Sequence, residues 1–268
     1  QRANAWMLMV LSMGFVFSTL PVQILLPVIG WRWIFGLIAI LILLVIFLTL
    51  LFIPKWKIEN NNQQISGSLS DVWKNNFFRS TIPLGLFNYG GMVAVQTLWA
   101  GPWMVRVAGY TPLQSATGLF WINVTMLFAF FAFGYILPKI TKLGIESMKL
   151  MKIGLPISYL SLLAIIILGE NAGALHFTIY ILTSIFLTLT QPAVALSFPT
   201  NLAGKSLTSF NLLIFVGTFI MQWGIGLIID FCQFLGKEEV QSFKISFTIY
   251  LIICIFSYLY FLMKNKNE

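Results

Sequence analysis

Long apolar runs fill most of this chain, and they constrain its fold more than any other feature. Eight runs contain about 20 apolar residues, enough for a helix to cross a hydrocarbon core about 30 Å thick. They lie near residues 4–29, 33–53, 81–105, 112–137, 149–168, 174–195, 207–231 and 245–263. Because backbone amides in lipid must be hydrogen-bonded within their own segment, the runs predict helices. We therefore expect an all-α, polytopic membrane protein with about eight transmembrane helices.

The composition excludes a soluble domain. Of 268 residues, 59% are hydrophobic and 9% are charged, whereas a soluble domain has about 25% charged residues. The net charge of +8 would suggest a nucleic-acid partner in a soluble protein, but here it is better explained by membrane topology. The expected partner is therefore the lipid bilayer, and a nucleic-acid partner is not expected. The single His176 and the distant Cys232 and Cys254 indicate no metal site, cofactor or disulfide.

The basic residues predict an orientation, because Lys and Arg are retained on the cytoplasmic side of a membrane. With a cytoplasmic amino terminus, 12 of the 16 basic residues fall on the cytoplasmic side and four on the other. The four are Arg32, Arg106, Lys237 and Lys244. We expect a multi-pass protein of the cytoplasmic (inner) membrane with both termini cytoplasmic.

The polar stretch 54–80 is the longest connection between apolar runs. Its second part predicts a short interfacial helix, capped by Ser68 or Ser70, with Trp73 and Phe77 resting on lipid. A solvated loop is the alternative. The chain starts with Gln1 rather than Met, which indicates a processed chain or a fragment. A signal peptide is disfavoured, because no small-residue cleavage site follows the first apolar run.

Carboxamide side chains are the notable polar groups inside the predicted helices. Gln96, Asn123 and Gln222 lie near helix centres, whereas Asn88, Asn211 and Gln191 lie toward the cytoplasmic half. Carboxamides in hydrocarbon need polar partners, so they face other helices or water. These six are candidates for the lining of a substrate cavity. Hydrogen bonding between helices is the alternative.

Charged residues avoid the middle of every predicted helix, so the sequence offers no obvious proton relay. It contains no P-loop, metal-ligand cluster or Ser/His/Asp set. A membrane enzyme would need convergent acids or histidines, and Glu170, His176, Glu238 and Glu239 are too few and fall on loops. An enzyme is therefore not expected.

Three motifs resemble the major facilitator superfamily. The turn Gly30-Trp-Arg-Trp-Ile-Phe35 resembles the outer connection between that family's helices five and six. The stretch Gly134 to Gly144 resembles its Gly-x-x-x-Asp-Arg signature between helices eight and nine, although Pro138 replaces the acid. The stretch Gln191 to Lys205 resembles its passage from helix ten to helix eleven. The stretch 54–80 then resembles the family's central cytoplasmic linker.

The resemblance implies a partial major-facilitator fold covering helices five to twelve, with the first four absent. Residues 1–53 would be a two-helix remnant of the N-terminal transporter domain, 54–80 the linker, and 81–268 the six-helix C-terminal domain of inverted repeats. Family helices five and eight would pair 4–29 with 112–137. The expected interface residues are Gly14 and Ser18, opposite Gly118 and Ala129.

The implied function is secondary active transport of an unidentified small solute by alternating access, coupled to an ion such as a proton or sodium. The signature of drug exporters in helix five does not match residues 14–30, so drug export is not assigned. The alternative is a non-transport scaffold or sensor, or an inactive transporter fragment. A water-reachable polar lining at the bilayer midplane separates a transporter from these.

Overall fold

The computed structural model describes residues 2–52, 68–144 and 146–266, and this part of the chain is helical without a strand. The predicted linker lies outside the described residues up to residue 67, and so do the basic residues Lys55 and Lys57. The helices are α1 (Arg2–Phe17), α2 (Leu20–Phe52), α3 (Leu69–Lys74), α4 (Asn76–Pro83), α5 (Gly90–Ala94), α6 (Ala100–Arg106), α7 (Pro112–Lys142), α8 (Ser147–Leu168), α9 (Ala174–Thr183), α10 (Thr190–Leu196), α11 (Thr200–Phe234) and α12 (Glu239–Lys264).

Non-α turns join several of these helices into longer ones. Two π-helical segments, Leu84–Tyr89 and Val95–Trp99, connect α4, α5 and α6 into one helix from Asn76 to Arg106. A 3₁₀ segment, Ser184–Leu189, connects α9 to α10 in the same way. Such π segments are rare, and they occur frequently at functional sites.

The helices confirm an all-α, polytopic membrane protein. Six stretches of the described chain are long and apolar enough to cross a bilayer: Leu20–Phe52, Pro112–Lys142, Ser147–Asn171, Ala174–Leu196, Thr200–Phe234 and Glu239–Lys264. The helix formed by α4, α5 and α6 covers the predicted run 81–105. The first half of α2 continues α1 after a break at Ser18 and Thr19, so together they cover the run 4–29.

The axis of α2 breaks at Gly30, where the sequence predicts a turn. Gly30 has φ 75° and ψ 160°, a region that is open essentially to glycine. The chain regains helical geometry at Trp31, and the guanidinium of Arg32 lies 4.6 Å from the centre of the Trp31 ring. Gly30 therefore separates α2 into two halves.

Side-chain caps fix the starts of α3 and α7. The Ser68 hydroxyl accepts from the amide of Ser70, while the Asp71 carboxylate accepts from the amide of Ser68. Thr111 and Gln114 form the same reciprocal arrangement before α7, which satisfies amides that have no partner within the helix. Ser68 thus caps a helix as predicted, although that helix ends at Lys74 and Phe77 belongs to α4.

Helices α4 to α12 share one core, and α11 approaches the α4–α6 helix most closely. A methyl group added to Gly90 would lie 2.6 Å from the amide nitrogen of Thr218. The indole of the fully buried Trp103 donates to the carbonyl of Ala172 over 3.1 Å, and its ring lies 4.6 Å from that of Phe247. These contacts join three parts of the bundle near the end of α6 and the start of α12.

The two amino-terminal helices lie at the edge of this bundle. α1 packs along α7, and α2 makes a smaller contact with α7. This is the pairing of 4–29 with 112–137 that the sequence predicts. No residue of α2 is buried. The second half of α2, Trp31–Phe52, is therefore a bare apolar helix in the part of the chain that is described.

Charge is distributed unevenly between the two ends of the helices. One end, called the basic end below, holds the start of α4 and the end of α12, which are in contact. Its described basic residues are Lys74, Arg79, Lys139, Lys142, Lys149, Lys152, Lys205, Lys264 and Lys266, and its acids are Asp71 and Glu146. The opposite end has Arg32, Arg106, Lys237 and Lys244 against Glu170, Asp230, Glu238 and Glu239.

Candidate functional site

Two buried carboxamides on neighbouring helices form the centre of the candidate site. Gln96 lies in the π segment Val95–Trp99 and donates from Nε2 to Oδ1 of Asn123 on α7, over 2.9 Å. The Nδ2 of Asn123 donates to the carbonyl of Leu119 over 2.9 Å. Gln96 is 9% exposed and Asn123 5% exposed. The two side chains therefore satisfy each other in a region predicted to lie near the middle of the bilayer.

This pair lines a cavity of about 340 Å³, which we call the polar pocket. The pocket lies between α1, the start of α2, the second π segment and α7. Its lining residues are Phe15, Ser18, Thr19, Val22, Gln23, Gln96, Thr97, Ala116, Leu119 and Asn123. None of these ten residues carries a charge, and six of them have a hydroxyl or carboxamide group. The pocket thus combines hydrogen-bonding groups with apolar walls, a common composition of small-molecule sites.

Gln222 reaches the edge of the polar pocket from α11. Its Nε2 donates to the hydroxyl of Thr97 over 3.1 Å, and Thr97 is one of the lining residues. The backbone carbonyl of Gln222 accepts from the indole of Trp99 over 3.0 Å. The structure therefore connects the three central carboxamides predicted from the sequence through the second π segment, with two of them in the pocket.

The other three predicted carboxamides lie outside the polar pocket. The Nδ2 of Asn88 donates to the carbonyl of Cys254, and its Oδ1 accepts from the hydroxyl of Tyr159 over 2.7 Å. Gln191 donates to Asn211 over 2.9 Å, which ties α10 to α11. Asn88, Gln191 and Asn211 therefore each make hydrogen bonds between helices, and their place in a cavity lining stays a prediction.

The expected contact of Gly14 and Ser18 with Gly118 and Ala129 is corrected by the structure. Gly14 is exposed, and a methyl group there would meet nothing within 4 Å. Gly118 faces other helices instead, since its added methyl would lie 2.8 Å from Cβ of Ala174 and 3.0 Å from Sδ of Met104.

Ser18 and Ala129 take different places. Ser18 lines the polar pocket, and Ala129 packs against the main core. The helices pair as predicted. Which residues make the contact depends on the rotation of each helix about its axis, and helical spacing in the sequence does not determine that rotation.

Three polar lining residues were not among the predicted site residues: Thr19, Gln23 and Thr97. Gln23 has the same carboxamide group and lies in the run 4–29, so the physical criterion that selects Gln96 would also have selected it. Thr19 and Thr97 carry a weaker signal, because hydroxyls in membrane helices commonly bond to their own backbone. Thr97 does so with the carbonyl of Val93 over 2.7 Å.

Charged groups lie away from the polar pocket. Arg106 and Glu239 form an ion pair over 3.4 Å at the opposite end from the basic end, with both side chains substantially exposed. Within residues 2–52, 68–144 and 146–266, no group of three His, Cys, Asp or Glu residues could hold a metal ion. Cys232 and Cys254 are buried and not disulfide-bonded.

A comparison with known protein families matches residues 1–222 to the Major Facilitator Superfamily. Neither the curated proteins nor the solved structures contain a significant match to the chain. The family match covers more than half of the chain, and it includes α1, α7 and both π segments.

Proposed function

Because the chain belongs to the major facilitator superfamily, we propose that it moves an uncharged, polar small solute across the membrane by alternating access. The family match supports membrane transport by a multi-pass integral membrane protein that handles small solutes, and members of this family are transporters rather than enzymes. The solute class and the mechanism are proposed from the polar pocket. The observation that carries this proposal is the Gln96–Asn123 pair in an uncharged cavity.

The chemistry of the lining supports a neutral solute. Gln96, Asn123, Gln23 and two threonines offer donors and acceptors without a countercharge. A charged solute in such a site would lose its hydration without gaining an opposite charge, which costs several kcal/mol. A sugar, polyol or amide can exchange its hydrogen bonds with water for bonds to these side chains. A cavity of about 340 Å³ lies within the range of small-molecule sites.

The position of the pocket supports alternating access. Its walls come from α1 and α2 on one side, and from the π segment and α7 on the other. In the proposed division, residues 1–53 belong to one domain, 54–80 to the linker and 81–268 to the second domain. A rocking movement of α1 against α7 would then open or close the pocket, as it does for sites at a repeat interface. The family's outward and inward states are thus proposed to differ at this contact.

A flux measurement tests the proposal. The full chain is reconstituted in vesicles, and a panel of radiolabelled neutral solutes is screened under an imposed proton gradient and then under a sodium gradient. We expect flux of at least one solute under one of the two gradients. Gln96→Leu removes the donor to Asn123 and leaves a buried acceptor unpaired, so initial flux should fall by about ten-fold.

Gln191→Leu is the matched control, because it removes a carboxamide pair outside the pocket. Its flux should stay within about two-fold of the unmodified chain. If no solute moves under either gradient, and thiols introduced at Thr97 and Gln23 are unreactive in the membrane, the chain is a scaffold, a sensor or an inactive transporter. Equal losses of flux in Gln96→Leu and Gln191→Leu would mean that the polar pocket is not the solute site.

A further inference from the structure

A second cavity lies at the basic end, shares no lining residue with the polar pocket, and is not used by the transport proposal. It has a volume of about 350 Å³ and lies between the start of α4 and the end of α12. Its lining residues are Asn76, Phe77, Arg79, Ser80, Tyr260, Lys264 and Asn265. We call it the basic cleft. No acidic side chain is among these residues.

The cations of the basic cleft are not neutralised by the described part of the chain. Neither Arg79 nor Lys264 forms an ion pair within residues 2–52, 68–144 and 146–266. Of the acids at this end, Asp71 is used by the cap of α3, where its carboxylate accepts from the Ser68 amide. Two unpaired positive charges on one cavity attract an anion, and a guanidinium in particular matches a phosphate group in geometry.

The floor of the basic cleft is polar and held in place. The Nδ2 of Asn265, a residue 5% exposed, donates to the hydroxyl of Ser80 over 2.9 Å and to the carbonyl of Phe261 over 2.8 Å. The ammonium group of Lys152 donates to the backbone carbonyl of Asn265 over 3.3 Å. These bonds join α4, α8 and the end of α12. The cleft is therefore a fixed feature of the packed bundle rather than a gap between loose ends.

The cleft also opens at the start of a long helix. Asn76 and Phe77 begin the helix that runs to Arg106, and the first amides of a helix have no partner within it. Asn75 caps this start by accepting from the amide of Phe78 over 3.0 Å. The positive end of the helix dipole adds to the attraction that Arg79 and Lys264 exert on an anion.

An apolar stripe leads from the basic cleft along the outer face of α12. Phe256, Leu259, Tyr260 and Met263 follow helical spacing on one face, with exposed fractions of 68%, 45%, 42% and 78%. Tyr260 belongs both to this stripe and to the cleft, and Lys264 follows it by one turn. A molecule with a phosphate headgroup and an acyl chain would match both features at once. A free phosphate would match the cleft alone.

From this juxtaposition we propose that the basic cleft binds the headgroup of an anionic phospholipid, with the phosphate on Arg79 and Lys264 and the acyl chain along the α12 stripe. Basic pockets between membrane helices bind anionic headgroups in this way. The lipid would hold the start of α4 and the end of α12 together at the surface of one leaflet. This inference is independent of the solute that the polar pocket binds.

Lipid retention measured by native mass spectrometry tests this inference. The full chain is released from nanodiscs of phosphatidylcholine containing a minor fraction of phosphatidylglycerol. We expect bound phosphatidylglycerol in excess over its share of the bilayer. R79Q/K264Q should lower that excess by about ten-fold or more, because two phosphate contacts are lost. R79K/K264R keeps both charges and should retain most of it.

The matched control is K142Q/K149Q, which removes two exposed charges from the same end but outside the cleft. It should change the excess by less than about two-fold. Equal losses in the two double variants would mean general charge attraction and would overturn the proposal, and so would an unchanged excess in R79Q/K264Q. Displacement of the lipid by millimolar inorganic phosphate would also overturn it, in favour of a site for a soluble phosphate.

Discussion

Two carboxamides that bond to each other can exchange that hydrogen bond for bonds to a solute. In the structure the Gln96 amide and the Asn123 oxygen satisfy one another, so this pair leaves no unpaired polar group buried in the pocket. A solute with a hydroxyl or an amide could replace either partner at little net cost. A hydrogen-bonding group can thus be kept in a predominantly apolar environment without a charged residue beside it.

A close backbone approach between α5 and α11 also depends on single residues. Gly90 on α5 lies against Thr218 on α11, with 2.6 Å between an added methyl and the amide nitrogen. Gly90→Ala should therefore force the two helices apart and destabilise the protein by about 1–3 kcal/mol. We expect its unfolding temperature in detergent to fall by a few degrees.

Gly224→Ala is the control for this change, because a methyl group there meets nothing within 4 Å. In a helix, alanine is favoured over glycine, so that variant should be as stable as the unmodified chain or slightly more stable. Equal unfolding temperatures for Gly90→Ala and Gly224→Ala would contradict the close approach of α5 and α11.

The residues of the candidate site were partly predictable. Gln96 and Asn123 stood out because carboxamides are costly in hydrocarbon and need a partner. Their bond to each other was not predictable, since the two residues are 27 positions apart and meet only when two helices have the right rotation. The same limitation explains Gly118, whose predicted neighbours on α1 are replaced by Ala174 and Met104.

At the scale of whole helices, hydrophobic length predicted the all-α, polytopic architecture, and six stretches of the described chain are long and apolar enough to cross a bilayer. Hydrophobic length was a poorer guide to boundaries: α11 runs from Thr200 to Phe234, whereas the apolar run covers 207–231. Polar residues at a helix end remain helical outside the hydrocarbon layer, and an apolar count cannot detect them. The π segments were not predicted either, because the local sequence contains no signal for an extra residue in a helical turn.

The contact of α1 with α7 gives a prediction at the scale of helices. Ser18, directly after α1, and Ala116 on α7 line the same pocket. Cysteines at both positions should therefore be joined by a short bifunctional thiol reagent in membranes. The native Cys232 and Cys254 are buried and should contribute little background. When the chain is cut between the two positions, we expect the cross-link to keep the two fragments joined.

A pair with Ile153→Cys replacing Ala116→Cys is the control, because Ile153 is exposed on α8 and does not line the pocket. Cross-linking of Ser18→Cys to both partners with equal yield would mean that α1 does not pack along α7 in the membrane. Protection of the Ser18–Ala116 pair by a transported solute would additionally support the polar pocket as the solute site.

For the whole molecule, the uneven charge of the two ends argues for a cytoplasmic basic end. Nine described basic residues against two acids at one end follow the distribution of cytoplasmic surfaces. We therefore propose that both termini are cytoplasmic, in the cytoplasmic (inner) membrane. A tag after Glu268 should be protected from protease in intact cells and cleaved in inverted vesicles. Cleavage in intact cells would reverse the proposed orientation.

The bare second half of α2 has a consequence for how the molecule meets its surroundings. The described part of the chain buries no residue between Trp31 and Phe52. Packing within that part therefore does not set the tilt of this segment, and the thickness of the bilayer should set it. The tilt of the segment from the bilayer normal should be larger in a thin bilayer and smaller in a thick one. The tilt of the tightly packed α11 should stay the same. The angle between the second half of α2 and α11 would then change with the thickness of the bilayer.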